Sequence, residues 1–403
     1  MRNIMIFLLT LSLSFGQSQM LSPIPLPINI IIDLDPYKYN DLILKKKLEE
    51  GEIFTFIAKA KDSKNEKLLT MRQNIMSLFN IMDKIYASGT FKIAFIVPYK
   101  IIGKYASSTS NSALGYLLNR GVPFEMKLYK IEDEDKQSIS KILNNITIDN
   151  FDLIIAPVTQ KGAINLCNQT LPCPIFIPTL HKNRVNCSNS MVLFGGIDYI
   201  KQIELLSSLV DKYRFKIAVS DSSAVSKMLS QIAKEVVSID KIIVLGQNGY
   251  YKRTISKFAH LNNRSTIFLN TPIVKSSLFL SQLTLANFKP LKVLSTQINY
   301  SPLLLTLTQY HDRDNMIIAN SIEKIDSKLS ENIALIDQDI RFNWLNYSTI
   351  TGIDIFLSEK IDEKRLSSVY FKEGTLDYDI KLFKAGLYRF IPYEFDLPIL
   401  PYR

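Results

Sequence analysis

Few residues in this chain of 403 have the types and spacing that covalent chemistry requires. There are three histidines, His181, His260 and His311. A catalytic imidazole needs an orienting partner and a nucleophile in reach, and the sequence sets neither beside any of them. GxSxG, the P-loop, HExxH and a GxGxxG after a strand are all absent. Asp337-Gln338-Asp339 lacks the glycine and glutamate of an EF-hand loop. Cys167, Cys173 and Cys187 form no CxxC pair and have only His181 nearby, a poor metal set. No catalytic residue, cofactor or metal is therefore expected. The chemistry left is non-covalent. Small polar residues gather behind apolar runs: Ser107, Ser108 and Thr109 early in the chain, then Thr159 and Gln160. Further on come Ser220, Asp221, Ser222 and Asn270. Hydroxyls beside the amides of a helix N-terminus suit a carboxylate or a small polar ligand. The same residue types also serve as N-caps and turn formers.

The elements that must position these residues follow from two matching stretches. Residues 91–98 (FKIAFIVP) and 215–220 (FKIAVS) are short apolar runs with β-branched residues, bounded by breakers. Each reads as a buried strand, and each leads through a polar loop into a helical pattern, over 107–118 and 222–236. Strand followed by helix is the opening unit of a parallel sheet. More strands are expected at 124–131, 151–157, 174–178 and 191–194. A second series is expected at 241–246, 266–270, 292–296 and 316–320. Helices of 10–15 residues lie between, so the fold class is α/β, with two doubly wound parallel-sheet lobes. Toward the end, 342–357 reads as a helix, and 376–382 with 386–392 as an antiparallel pair.

Ahead of the first lobe, four prolines within 20–40 forbid a helix, while 28–34 suits a strand. Residues 41–61 and 65–86 show helical spacing, with an apolar stripe of Leu68, Leu69, Ile75, Leu78, Phe79, Met82 and Ile85. The expected division is 1–19 as a signal peptide, 20–90 as leader and helical arm, 91–205 with 323–360 as lobe 1, and 206–322 with 361–403 as lobe 2. Arg2 followed by an apolar run over 4–15 has the form of a secretory signal, too short to span a bilayer. An uncleaved anchor is the competing reading of that segment. No other window is long and apolar enough to cross a membrane, so an exported chain without a transmembrane segment is expected, in the periplasm. That compartment permits a disulfide, with Cys167–Cys173 the first choice and Cys167–Cys187 the second. The formal charge of +10 is spread along the chain with no basic cluster among aromatics, so no nucleic-acid partner is expected.

Two sequential α/β lobes, a signal segment and a late return across a hinge resemble the type I periplasmic binding protein fold. Within it, the chain is similar to the C-terminal domain of the periplasmic activators of penicillin-binding-protein peptidoglycan synthases. That likeness rests on residues 266–272 (TIFLNTP), 294–296 (LST), 347–357 (YSTITGIDIFL) with its Gly-hydrophobic-Asp step, and 374–390. Unlike those activators, this chain has no lipobox cysteine and only a short helical arm. The resemblance implies a non-catalytic binding or scaffold protein engaging an envelope protein partner, such as a peptidoglycan synthase. The alternative it implies is a solute-binding protein holding a small polar, amino-acid-like ligand between its lobes.

Overall fold

The structure, a computed structural model, describes residues 30–33, 35, 37–78, 90–211, 213–361 and 364–394. The expected signal peptide and the stripe residues Phe79, Met82 and Ile85 lie outside these. In chain order the elements begin with β1 (Ile30–Asp33), α1 (Asp41–Glu49), α2 (Ile53–Ala60) and α3 (Glu66–Leu78). There follow β2 (Phe91–Val97), α4 (Tyr105–Arg120), β3 (Phe124–Lys130), α5 (Lys136–Asp149), β4 (Leu153–Ile155) and α6 (Gln160–Cys167). Next come β5 (Ile175–Ile177), β6 (Val192–Phe194), α7 (Tyr199–Ser207), β7 (Phe215–Ser220), α8 (Ala224–Val237) and β8 (Lys241–Val244). Then β9 (Ser265–Leu269), α9 (Ile273–Leu285), β10 (Lys292–Ser295), β11 (Met316–Asn320), α10 (Ser327–Ala334) and α11 (Trp344–Ile361). The last strands are β12 (Tyr370–Lys372), β13 (Thr375–Asp377), β14 (Lys381–Ala385) and β15 (Phe390–Pro392).

The chain divides into two compact units, Met1–Lys92 with Arg120–Leu128, and Ile93–Asn119 with Tyr129–Arg403. In the first, α1 to α3 gather Leu44, Phe56, Ala60 and Leu68 into a small core. The side chain of Asn40 accepts from the Ile43 amide at 2.9 Å and caps α1. β1 runs parallel to β3, with Ile30 opposite Phe124.

The second unit holds both lobes. The first sheet runs β2-β4-β5-β6-β13-β12 and the second β15-β14-β11-β10-β9-β7-β8. Successive residues of the second sheet's strands enter opposite cores. Ile217 and Val219 pack on one side and Ala218 on the other, as do Ile267 and Leu269 against Phe268. Burial on both faces is why these strands read as unbroken apolar runs. Among the described residues the chain crosses between the sheets at 195–198, 321–326 and 378–380. β12 and β13 form a hairpin on the first sheet, with β13 parallel to β6. β14 and β15 form another on the second, so the single antiparallel pair expected over 376–392 is two hairpins in two sheets. Gly374, at φ +81°, makes the tight turn of the first hairpin.

The disulfide is Cys167–Cys187, with Cα atoms 5.5 Å apart, in place of the first-choice Cys167–Cys173. Cys173 is a buried free thiol within the first lobe's core, and burial pushes that thiol up to about 12.

Candidate functional site

The strand order places a cleft of about 930 Å³ beyond the carboxyl ends of strands from both sheets. From the first lobe, the turn after β2 supplies Lys104, and the opening of α4 supplies Tyr105, Ser107 and Ser108. Thr179 follows β5, Ile197 lies in the crossing after β6, and Tyr199 opens α7 on the second-lobe side. From the second lobe, the segment after β10 contributes Gln297, Ile298, Tyr300 and Ser301. The segment 337–346, a loop and the start of α11, closes the wall with two carboxylates, three amides and two aromatics. Phe342 of that loop meets Tyr300 of the second lobe with ring centroids 5.4 Å apart. Burial pushes the Tyr300 hydroxyl up to about 12, so it stays neutral and able to donate.

The second-lobe wall is fixed by a buried amide network. Gln202 Nε2 donates to Ser321 Oγ at 2.8 Å, and the Gln297 amide donates to Gln202 Oε1 at 2.9 Å. Gln297 Nε2 in turn donates to Asn320 Oδ1 at 2.7 Å. Ser321 belongs to one crossing segment, so this network couples the cleft floor to the connection between lobes.

The structure brings only two of the sequence-selected residues to the cleft. Ser107 donates to the Lys104 carbonyl at 3.0 Å, and Ser108 donates to Asn346 Oδ1 at 2.7 Å, 3.1 Å from Gln338 Oε1. Thr109 is buried, its hydroxyl turned back to the Tyr105 carbonyl at 2.6 Å. Thr159 and Gln160 open α6, whose N-terminus already holds an anion of the chain's own. Glu134 Oε1 accepts from the Thr159 amide at 2.8 Å, while Oε2 accepts from the Thr159 hydroxyl and from the Gly162 amide at 3.1 Å. Within the acidic run 132–135, Glu134 is 1% exposed. Gln160 donates to the Arg184 carbonyl at 2.8 Å.

In the second lobe the selected residues hold the fold's own loops, away from the cleft lining. Ser220 donates to the Ile243 carbonyl at 3.4 Å, Ser222 accepts from Gln247 Nε2 at 2.9 Å, and Asn270 Nδ2 donates to Ser230 Oγ at 3.0 Å. Asp221 accepts from Lys275 Nζ and from the Ser223 hydroxyl, each at 2.6 Å. Burial raises its carboxyl, but Lys275 and the Ser223 hydroxyl and amide outweigh that and hold it at about 2. A carboxyl held below its ordinary value stabilises the fold above about pH 4, and that stability is lost as pH falls through about 2. Lys275→Met is expected to cost about 1–2 kcal/mol at pH 7, allowing for solvent screening, and to flatten the acid loss between pH 4 and 2. Denaturant melts of both proteins across that range check this; parallel curves would contradict it.

Sequence reasoning missed Lys104, Tyr105, Gln297, Tyr300 and the loop 337–346. The first four do stand one turn beyond strands β2 and β10, where the strand-end rule points. The loop follows a helix and carries no such signal.

No family model and no curated protein matches the sequence. Solved structures do match the fold. One, a Rhodospirillum rubrum protein assigned to branched-chain amino acid ABC transport, superposes with a TM-score of 0.58 at 12% identity, over 75% of this chain and 100% of that one. The branched-chain amino acid transporter substrate-binding protein LivJ of Streptococcus pneumoniae, in complex with isoleucine, gives 0.52 at 9% identity with the same coverage. An ABC transporter substrate-binding protein of Desulfitobacterium hafniense, in complex with leucine, gives 0.51 at 10% identity, again over 75% and 100%. At such identities the likeness shows the fold, two α/β lobes of the type I periplasmic-binding kind. It does not support the closer likeness to synthase activators. The expectation of an envelope scaffold is corrected: the neighbours of this fold are substrate-binding proteins, and the inter-lobe cleft sets charged and amide side chains among apolar ones. No helix among the described residues is long and apolar enough to cross a membrane.

Proposed function

We propose that this chain is an extracytoplasmic solute-binding protein that holds a small polar, amino-acid-like ligand between its lobes, by binding and without catalysis. The observation that carries this reading is the charge arrangement of the cleft. A cation, Lys104, stands at the opening of α4, and two carboxylates, Asp337 and Asp339, stand on the loop before α11. A zwitterion matches both. Its carboxylate is placed toward Lys104 and the first amides of α4, where the helix dipole adds to the attraction. Its ammonium is placed toward Asp337 and Asp339. Asp339 Oδ1 accepts from the Arg341 amide at 2.8 Å and holds the loop, leaving Oδ2 for a ligand. Ser107 is retained as a ligand contact, whereas Ser108, engaged by Asn346, shapes the wall. The volume lies within the roughly 300–1,000 Å³ range of small-molecule sites.

Lys104→Ala is expected to weaken binding of a free amino acid by about tenfold to a hundredfold, the equivalent of one charge-assisted hydrogen bond. The corresponding decarboxylated amine should bind the variant and the parent chain alike. Calorimetric titration with both compounds checks this. Equal losses for both, or none for either, would count against the assigned orientation.

A further inference from the structure

An apolar chamber of about 220 Å³ adjoins the cleft and shares a wall with it. The shared residues are Thr179, Ile197, Tyr199 and Trp344. Behind that wall, Ile200 and three residues of α8, Val225, Met228 and Ile232, complete an apolar lining from the second lobe. Leu180 and the stem of Arg184 close the first-lobe side, with Gln160, His181 and Asn183 as its polar rim. The indole Nε1–H of Trp344 is buried and meets no acceptor among the described residues.

Resting on the solute-binding reading above, we propose that this chamber receives the side chain of the bound amino acid and selects a bulky aromatic one. An apolar cavity of roughly 150 Å³ takes up a benzene ring, so this chamber has room for a phenyl or indole group. Its lining suits a ring. Tyr199 and Trp344 supply aromatic rings to the lining, and Met228 supplies a thioether. A leucyl-sized group would leave part of the lining without partner atoms. Because the chamber is built from first-lobe loops and a second-lobe helix, filling it favours the arrangement in which both meet.

Trp344 is the only tryptophan in the chain, so its fluorescence reports directly on this wall. The full-length protein titrated with L-phenylalanine, L-leucine and L-alanine should show a Trp344 emission change with each. Phenylalanine should bind at least tenfold more tightly than alanine, and also more tightly than leucine. Met228→Glu puts a charge in the chamber and should collapse the phenylalanine-to-alanine ratio to about one. Val225→Asp, at a position 45% exposed and so tolerant of change, should lower the ratio in the same direction. Alanine binding as tightly as phenylalanine to the parent chain, or both variants keeping its ratio, would overturn the aromatic subsite while leaving a solute site in place. If none of the three bound, by fluorescence or by calorimetry, the solute reading would fail and the subsite with it.

Discussion

Gly196→Ala is expected to lower stability by about 3 kcal/mol or more, because a Cβ there makes the tightest approach of any at the described glycines. Gly196 lies in the first crossing between the sheets, and its amide donates to the Leu180 carbonyl at 2.8 Å. A Cβ there would stand 2.1 Å from the Leu180 carbonyl carbon and 2.2 Å from the His181 nitrogen. Both are backbone atoms, so no side-chain rotation relieves the clash. The 178–181 segment would have to move, and with it the Thr179 edge of the cleft. Gly246→Ala is the control, because its Cβ would meet only Asn248 Oδ1 at 3.5 Å. Urea melts of the two variants should differ by more than about 2 kcal/mol. Near-equal midpoints would mean that the crossing is looser than its packing indicates.

Asp354→Ala should cost about 3 kcal/mol. The carboxylate is 1% exposed and serves four donors, one of them the Ser358 hydroxyl at 3.4 Å from Oδ1. Oδ1 accepts from the Tyr116 hydroxyl at 2.6 Å, joining α4 to α11. Oδ2 accepts from the Leu366 and Ser367 amides at 2.8 and 3.1 Å and fixes the segment that leaves α11. Tyr116→Phe removes only one of these bonds and should cost about 1 kcal/mol. Combined with Asp354→Ala it should add little, since the two act through one contact. Full additivity in a double-mutant cycle would refute the shared bond.

The glycine two residues earlier explains why 352–354 stands out in the sequence. A Cβ on Gly352 would lie 2.4 Å from the Phe176 ring, so α11 packs directly on β5 through that position. The Gly-hydrophobic-Asp step is thus one close approach and one hydrogen-bond hub within a single turn of α11. The strands are legible for a simple reason. Buried on both faces, 91–97 and 215–220 carry apolar residues at nearly every position, which no amphipathic helix does.

The site is less legible, because strand-end polarity does not say which residues face a cavity. Ser107 and Ser108 are distinguished from Thr159 only by Glu134, which arrives from 25 residues away to fill the α6 N-terminus. Asp221 looks like a ligand group until Lys275, 54 residues on, is seen to neutralise it. The loop 337–346 fails as a calcium loop, yet its charges face the cleft. Trp344 packs on Tyr378, with ring centroids 4.5 Å apart, and also walls the cleft. For the cysteines, the shorter loop looks the better closure from sequence. The entropy difference between closing roughly 6 and 20 residues is only about 1 kcal/mol, less than the apolar burial of the Cys173 side chain in the first lobe's core supplies.

The most direct measurement is native mass spectrometry on the chain purified without denaturation, followed by thermal unfolding with each free amino acid. The expected result is a single adduct with the mass of one amino acid. The amino acid of that mass should then stabilise the fold by about 2.7 kcal/mol at a hundredfold excess over its dissociation constant. An unliganded chain whose unfolding temperature no amino acid raises would contradict a solute site between the lobes.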